Sequence, residues 1–226
     1  VFFTLFMRRP DVIVATSPQF FCGWAGLIVS KLRRVPFVLE IRDIWPESIV
    51  AVGALGNRRL LAFLEWLEAK MYRWSPWIVT VGDGYRRRLL EKGVPDEKIS
   101  IVMNGVDTEL FVPREPSPEI RRRHGVPDGA FLCGYVGTIG MACGLEVVLR
   151  AARRLADEGR EDIVFMMIGD GAVRESLEEQ ARELGLRNVV FTGRRAKDEI
   201  PDYIATLDAC LVHLRKTGLF ETVMPS

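Results

Sequence analysis

The sequence predicts an α/β protein built from two doubly wound parallel sheets in tandem. Short runs rich in β-branched residues alternate with longer amphipathic segments along the chain, which is typical of parallel strands joined by helices. One stretch with three prolines and little periodicity, residues 104–118, interrupts this alternation and indicates a linker. The 226 residues are 48% hydrophobic, which is enough for two small cores. We therefore predict one domain at 1–112 and a second at 113–226.

Each predicted domain contains four strands and three helices. The first strands are 11–16, 36–41, 76–81 and 98–103, and the helices between them are 19–32, 57–73 and 84–92. After the linker, strands are predicted at 131–137, 163–168, 188–192 and 208–213, with helices at 144–158, 173–184 and 198–206. Sheets of this kind bind ligands where the carboxyl ends of their strands meet. We expect the functional residues in the loops that follow the strands, facing a cleft between the domains.

Residues 131–171 form the most informative segment, a strand, a glycine loop, a helix and a second strand that ends in another glycine turn. Gly137, Gly140 and Gly144 let the backbone approach a ligand, and the following helix directs its N-terminal amides to the same place. This pattern favours an anionic ligand. Glycines that serve only tight turns would give the same pattern, so the loop alone does not decide between the two interpretations.

The composition argues against several other classes of protein. The chain has four widely spaced cysteines and two histidines, His124 and His213. This composition argues against a disulfide framework or a metal site, so no metal or cofactor is expected. The sequence contains no uncharged apolar run long enough to span a membrane, so no membrane-spanning helix is predicted. Residues 1–112 carry 15 basic and 12 acidic side chains. That balance is far from the one that nucleic-acid binding requires, and no nucleic acid is expected as a partner.

Both ends of the sequence suggest an internal fragment. Residues 1–7, VFFTLFM, resemble the end of a helix whose start is missing, and the chain stops at Ser226 before any closing helix is predicted. The sheets would then be truncated, with exposed edges. We expect this chain alone not to turn over substrate.

With these pieces in order, the chain resembles glycosyltransferase family 4, the retaining enzymes of the GT-B fold. The resemblance runs along the whole chain, and its strength lies in the order and spacing of the motifs. The segments that carry it are RPDVIVATSP (9–18), EIRDIWPES (40–48), NGVDTELF (104–111), YVGTIG (135–140), IGDG (168–171), VVFTG (189–193) and LFETVMPS (219–226). The second and the last resemble most the branch that builds bacterial surface polysaccharides, including transferases of N-acetylated amino sugars.

The resemblance implies two Rossmann-like domains, an acceptor held mainly by the first, a nucleotide sugar held mainly by the second, and no metal. The donor would be a UDP-sugar of the N-acetylhexosamine type, and the acceptor a lipid-linked or other saccharide. The residues at the matching positions for the donor are Gly137, Thr138, Ile139, Gly140, Gly169, Asp170, Gly171, Arg194, Arg215, Lys216 and Thr222. The acidic residue that binds the donor ribose in this family would fall beyond Ser226.

The glycine loop departs from the family pattern. Thr138 and Cys143 stand where many members carry an arginine and a lysine that neutralise the donor diphosphate. Compensation could come from the amides of 138–140 and from Arg215 and Lys216, which follow the strand ending near 213. A solvated loop end is the alternative interpretation of the two basic residues.

Two acidic side chains in the IRDIWPES segment are the catalytic candidates. Asp43 follows a strand, and the resemblance places it, with Glu47, facing the acceptor. A helix cap or an ion pair with Arg42 is the alternative role for Asp43. In the second domain, Asp170 lies in a glycine turn and could serve only that turn, and Arg194 matches a place where family members present backbone to the nucleobase.

Aromatic and basic residues cluster between the predicted second helix and third strand. The aromatic members are Trp66, Tyr72, Trp74 and Trp77, and the basic members are Arg58, Arg59, Lys70 and Arg73. Such a mixture suits a membrane interface, although core packing is the alternative, which is favoured for Trp77. The predicted location is therefore cytoplasmic, peripheral at the inner face of the cell membrane.

Three other functions share parts of this pattern. A nucleotide-sugar 2-epimerase has the same two-domain fold, and a nucleotide-sugar-binding protein would use the same donor site without turnover. A dinucleotide oxidoreductase is disfavoured because residues 134–144 contain no GxGxxG motif. We expect a glycosyltransferase, with the epimerase as the nearest alternative.

Overall fold

A computed structural model describes residues 7–17, 20–51, 53, 56–218 and 220 of the chain. These residues form two compact units. The first comprises the described residues up to Gly105 together with those from Lys216 onward, and the second comprises Val106–Arg215. Each unit is a parallel sheet flanked by helices, as the sequence predicts.

The described residues of the first unit form four strands and four helices. The strands are β1 (Ile13–Ser17), β2 (Phe37–Ile41), β3 (Trp77–Thr80) and β4 (Ile99–Ile101), and the helices are α1 (Phe20–Arg33), α2 (Glu47–Ala51), α3 (Arg58–Trp74) and α4 (Asp83–Glu91). A short 3-10 helix, Asp96–Lys98, precedes β4. All described strands are parallel and run in chain order, β1-β2-β3-β4. The carboxyl ends of β1 and β2 therefore lie side by side.

The first core forms on one face of β2, where alternate residues of the strand are buried because successive side chains point to opposite faces of the sheet. Phe37, Leu39 and Ile41 are at most 1% exposed. They pack with Leu27 of α1 and Met71 of α3. The sheet and its helices thus fix the loop that follows β2, where residues 42–46 lie.

The second unit also contains four strands and four helices. The strands are β5 (Phe131–Val136), β6 (Ile163–Ile168), β7 (Val189–Gly193) and β8 (Ala209–Leu211), and the helices are α5 (Pro118–Arg123), α6 (Glu146–Asp157), α7 (Arg174–Glu183) and α8 (Ile200–Thr206). Their order is β7-β6-β5-β8, all parallel. The chain moves outward from β5 to β7 and then returns to β8 on the other side of β5. This reversal is a topological switch point.

The predicted helices lack two, α2 and α5, and two aromatic side chains were misjudged. Helix α5 begins at Pro118, and the Ser117 hydroxyl accepts a hydrogen bond from the Ile120 amide, which is a helix start inside the expected linker. His124, at the end of this helix, is half-buried, and its Nε2 lies 3.0 Å from the Tyr203 hydroxyl. Two members of the aromatic cluster differ from their expected burial. Tyr72 is buried, whereas Trp77 is 46% exposed rather than packed in the core.

Candidate functional site

The switch point of the second sheet brings several predicted donor residues to one edge. Because all four strands are parallel, the loops after β5, β6, β7 and β8 leave the same edge of the sheet. These loops carry residues 137–140, 169–171, 194 and 213–215. The pairing of β5 with β8 places the first and last of these loops side by side. Ligands of open α/β sheets bind at such a point.

Two glycine turns at this edge are in direct contact. A Cβ atom built at Gly169 would lie 1.9 Å from the carbonyl oxygen of Gly137, and one at Gly171 would lie 2.4 Å from that of Ile139. Gly169 also has φ of 145°, which disfavours any other residue. The Ile139 amide donates to the Asp170 carbonyl at 2.9 Å. The loops after β5 and β6 are therefore one rigid layer of backbone.

Uncharged groups occupy the places where the family pattern has charges. The Tyr135 hydroxyl donates to the Thr138 carbonyl at 2.8 Å and lies 3.1 Å from Cys143 Sγ. The Cys143 thiol also lies 3.1 Å from the Thr138 carbonyl. Burial, followed by the contact with Cys143, raises the pKa of Tyr135, so this hydroxyl stays neutral. Thr138 and Cys143 thus belong to a hydrogen-bonded triangle, with Tyr135, that fixes the loop.

The loop offers fewer free amides than the sequence suggests. The amides of Ile139 and Gly140 donate to the carbonyls of Asp170 and Thr138, so they already have acceptors. Within the described ranges, the Thr138 amide has no acceptor, and neither do those of Leu145 and Glu146 at the start of α6. Of the three amides predicted to bind an anion, Thr138 is the one that is available. The start of α6 supplies the others.

Arg215 lies against the start of α6. Its amide donates to the Ala142 carbonyl at 2.9 Å, and its guanidinium lies 3.1 Å from the Glu146 carboxylate. Two residues earlier, His213 Nδ1 lies 2.6 Å from the Cys143 carbonyl oxygen. The segment after β8 is thus held against the glycine loop, with a half-exposed cation beside the free amides. Lys216, the next residue, is exposed and groups with the first unit.

Asp170 and Arg194 lie close together at the same edge. Asp170 accepts hydrogen bonds from the Gly171 amide and from Arg174 Nε, both at 2.8 Å. The Gly171 amide, then Arg174, and more weakly the charge of Arg194 lower the pKa of Asp170. Arg194 itself is exposed. Asp170 therefore organises the turn, and Arg194 remains free to meet a ligand.

Asp43 follows β2 at the carboxyl edge of the first sheet. Its carbonyl accepts a hydrogen bond from the buried hydroxyl of Ser17 at the end of β1. Burial raises the pKa of Asp43, and hydrogen bonds from Ser48 and the Ile44 amide oppose this shift only in part. Arg42 hydrogen-bonds Asn104 rather than forming the ion pair that the sequence offers as an alternative. Asp43 is a half-buried carboxylate without a cationic partner among the described residues.

Glu47 lies only four residues away in a different environment. Its carboxylate pairs with Arg88 at 2.9 Å and with Lys92 at 2.8 Å. Burial would raise the pKa of Glu47, but Lys92 and Arg88 outweigh it and lower the pKa. Lys92 also pairs with Glu68, which is 3% exposed, at 2.7 Å. Glu47 is thus part of an ion-pair network that joins α2, α3 and α4.

The remaining predicted residue, Thr222, lies outside the described residues. The sequence reasoning did not identify Tyr135, His213 or Arg174 as contributors to the loops of the second sheet. Their contacts with Thr138, Cys143 and Asp170 depend on strand order and helix placement, which motifs do not encode.

The described residues contain no cluster of three or more His, Cys, Asp or Glu side chains that could hold a metal ion. None of the described helices is long and apolar enough to cross a bilayer.

Known protein families and relatives match this arrangement. The profile of Glycosyltransferase Family 4 matches residues 3–110, and that of Glycosyl transferases group 1 matches residues 116–221. WcaI of Escherichia coli (strain K12), named for a glycosyl transferase of colanic acid biosynthesis, is 28% identical over 100% of this chain and 56% of its own length. The 2-deoxystreptamine glucosyltransferase of Streptomyces kanamyceticus is 34% identical over 83% of this chain and 49% of its own length. The chain therefore spans about half the length of the curated relatives it matches.

Solved structures share the fold. Anabaena HepE, crystallised in complex with UDP and glucose, superimposes with a TM-score of 0.69 at 20% sequence identity, over 88% of this chain and 52% of HepE. The two sheets of this chain and their flanking helices correspond to the GT-B architecture. Both family profiles follow one another along the chain and together cover nearly all of it. The chain belongs to glycosyltransferase family 4.

Proposed function

We propose that the protein carrying this chain transfers a sugar of the N-acetylhexosamine type from a UDP-sugar to a lipid-linked or other saccharide acceptor, with retention of configuration. The observation that carries the proposal is the switch point of the second sheet. Two glycine turns in contact, the start of α6 and the cation of Arg215 lie there together. HepE, which has the same fold, was solved with UDP and glucose.

The donor diphosphate would lie against the loop after β5 and the start of α6. When the bond from the sugar to the diphosphate breaks, negative charge gathers on the leaving phosphate. The Thr138 amide and the α6 amides are fixed donors that can stabilise this charge without rearranging. Arg215 and Lys216 add positive charge in place of the arginine and lysine that the loop lacks. Gly137, Ile139 and Gly140 keep this backbone in position.

The loops after β6 and β7 would hold the nucleoside end of the donor. Gly169 and Gly171 let the backbone pass close to the loop after β5, and Asp170 fixes the turn through the Gly171 amide. Arg194 is exposed beside this turn and would lie along the nucleobase, with Thr222 as a further donor contact. No step requires a metal ion in this scheme, because amides and cationic side chains meet the diphosphate.

Asp43 would act on the acceptor. A carboxylate whose pKa is raised by burial is a stronger base than an exposed one, and none of the described residues places a cation beside Asp43 to reduce its basicity. Glu47 is the weaker candidate because its pKa is lowered by Lys92 and Arg88. We assign Asp43 the role of orienting or deprotonating the acceptor hydroxyl, and Glu47 the role of positioning the α2 helix beside it.

Product analysis tests the proposed reaction. The full-length protein is incubated with UDP-N-acetylglucosamine, labelled in the sugar, and a bacterial lipid extract as acceptor. We expect a new labelled glycoside whose anomeric configuration, measured by nuclear magnetic resonance, matches that of the donor. A labelled 2-epimer without a glycoside would identify an epimerase, and bound donor without any product would identify a binding protein. Either result would contradict the proposal.

The acceptor also suggests where the enzyme works. A lipid-linked saccharide is held in a bilayer, and UDP-sugars are cytoplasmic metabolites. We therefore place the protein in the cytoplasm, peripheral at the inner face of the cell membrane.

A further inference from the structure

Helix α3 has an unusual outer face. Its buried side contains Leu64, Glu68, Met71 and Tyr72, so the opposite side faces solvent. An ordinary surface helix carries polar residues there. In α3, Phe63, Trp66 and Trp74 are instead 53%, 54% and 46% exposed. We call Phe63, Trp66, Lys70, Arg73 and Trp74 the aromatic–basic face.

The side chains of this face contact one another. The rings of Phe63 and Trp66 stack with their centroids 6.1 Å apart. Lys70 Nζ lies 5.6 Å from the centroid of Trp66 and 5.9 Å from that of Trp74. Trp74 in turn meets Trp24 of α1 edge to face at 5.8 Å. The exposed rings therefore form one continuous surface with a cation between them.

Helix α1 extends the surface. Phe21, Ile28 and Leu32 are exposed and are spaced so that they lie on one side of the helix. Helix α1 contains no acidic residue and ends in Lys31 and Arg33. Since Trp24 joins α1 to α3, the apolar area continues from one helix to the next. Contiguous exposed apolar residues mixed with basic ones are typical of an interaction site.

The charges on α3 are distributed unequally. Its four basic residues are Arg58, Arg59, Lys70 and Arg73, all on the helix surface. Of its two acidic residues, Glu68 is buried against Lys92. Glu65 is exposed and lines a cavity of about 510 Å³ on the flank of α3, where the basic residues Arg73, Lys92 and Lys98 also lie. The aromatic–basic face itself carries cations and no acid, so it complements a negatively charged partner.

We propose that the aromatic–basic face, with the exposed side of α1, docks on the surface of an anionic phospholipid bilayer. Tryptophan and phenylalanine rings lie at the depth of the lipid headgroups, and lysine and arginine pair with the phosphates. A second copy of this chain is a poorer occupant, because a two-fold contact would bury this cationic face against the same cationic face of the copy. This inference rests on the proposed function, and it names the surface through which the protein would bind the membrane.

Vesicle flotation of the full-length protein tests the inference. We expect binding to vesicles of phosphatidylcholine mixed with phosphatidylglycerol, weak binding to phosphatidylcholine alone, and loss of binding as salt is raised. Lys70→Glu together with Arg73→Glu should lower the partition coefficient about 30-fold or more, since each basic residue near an anionic surface contributes strongly. Phe63→Ser together with Trp66→Ser should lower it on zwitterionic and anionic vesicles alike.

Matched controls separate a local surface effect from net charge. Arg122→Glu with Arg150→Glu makes the same charge change at exposed positions of the second unit, and it should leave binding nearly unchanged. Melting temperatures of all variants should agree, because every changed side chain is on the surface. Equal binding by the wild type and the Lys70/Arg73 variant would overturn the proposal, as would a wild type that binds neither vesicle.

A different occupant would also be detected. A dimer in solution that the Phe63/Trp66 variant dissociates would identify a second copy on this face and contradict the lipid assignment. Flotation needs no UDP-sugar and no acceptor. A protein that floats but makes no glycoside would refute the proposed reaction alone, and an active enzyme that does not float would refute the docking surface alone.

Discussion

Gly169 lies so close to Gly137 that a Cβ atom on the first would come within 1.9 Å of the carbonyl oxygen of the second. The contact joins the turn after β6 to the loop after β5, where the donor diphosphate is proposed to bind. Hydrogen bonds keep both backbone segments from moving apart. The Ile139 amide donates to the Asp170 carbonyl, and the Gly169 amide donates to the Gly193 carbonyl. The shape of the proposed donor site therefore depends on glycine at position 169.

Gly169→Ala should destabilise the second unit by about 3 kcal/mol, because the new methyl group collides with backbone and φ of 145° disfavours alanine. Gly159→Ala is the matched control. Gly159 also has positive φ, but a Cβ there meets nothing within 4 Å, so it should cost about 1 kcal/mol. Urea unfolding measures both. Equal losses would show that the close contact is easily relieved.

The ion pair between the buried Glu68 and the half-buried Lys92 gives a second prediction. Lys92→Met should cost about 3–5 kcal/mol near neutral pH, because it leaves the Glu68 charge without its cation in the interior. Burial already raises the pKa of Glu68 in spite of Lys92 and Tyr72. Lys31→Met, at an exposed position of α1, should change stability little. Urea unfolding of the two variants at pH 7 provides the comparison.

The same variant should show a diagnostic pH dependence. A folded state that holds the Glu68 proton more tightly than the unfolded state loses stability as pH rises from about 4.3 through the raised pKa. The penalty of Lys92→Met should therefore shrink as pH falls from 7 to 5, since protonation neutralises the stranded carboxylate. Glu68→Leu combined with Lys92→Met should recover much of the loss. A penalty independent of pH would rule out an uncompensated charge as its cause.

Local sequence patterns predict most of the regular structure here. The run IVFMMI is buried at five of its six positions, and the strand predicted at 163–168 has the same bounds as β6. Helix α5 was missed because its RRR sequence shows no apolar periodicity, although Ser117 and Pro118 signal its start. Glu68 and Lys92 were not predicted as partners. They are 24 residues apart and meet only because α3 and α4 pack on the same sheet.

In the candidate site, too, the local features are predicted from the sequence and the long-range contacts are not. The family resemblance assigns Gly137, Gly169 and Asp170 to the donor, and their place at the carboxyl edge of the sheet follows from the parallel strands that precede them. The contacts of Arg215 with Glu146 and of His213 with Cys143 need the return of β8 to the side of β5. Sequence patterns predict which segments are strands, but they do not predict the order in which the strands lie side by side in the sheet. The hydrogen bonds of Ile139 and Gly140 likewise depend on loop geometry, so their amides were wrongly expected to be free.

The roles of Arg215 and Lys216 can be measured by donor binding. In the full-length protein, Arg215→Ala or Lys216→Ala should weaken UDP-sugar binding by about 1.5–3 kcal/mol, the usual contribution of a hydrogen bond to a charged group. Arg150→Ala, at an exposed position of α6, is the control and should leave affinity unchanged. Titration calorimetry gives the three values. Unchanged affinity in both Arg215 and Lys216 variants would remove these cations from the donor site.

Asp43 and Glu47 allow a matched comparison, since both are half-buried acids of one short segment. Asp43→Asn should lower kcat about 100-fold or more while donor affinity and melting temperature stay nearly constant, because the amide preserves size and can still accept hydrogen bonds. Glu47→Gln should instead lower stability and have less effect on kcat. It leaves Arg88 and Lys92 short of a counter-charge, so we expect a loss of about 1–3 kcal/mol of stability with a modest fall in kcat.

Steady-state kinetics and thermal unfolding on the same samples separate the two roles. If Asp43 acts on the acceptor, its effect should fall on kcat and on acceptor KM, not on the affinity for the UDP-sugar. A cap or packing role would instead make activity follow the folded fraction. A fall in melting temperature for Asp43→Asn that accounts for the whole activity loss would assign Asp43 to structure. The acceptor hydroxyl would then need its base elsewhere in the protein.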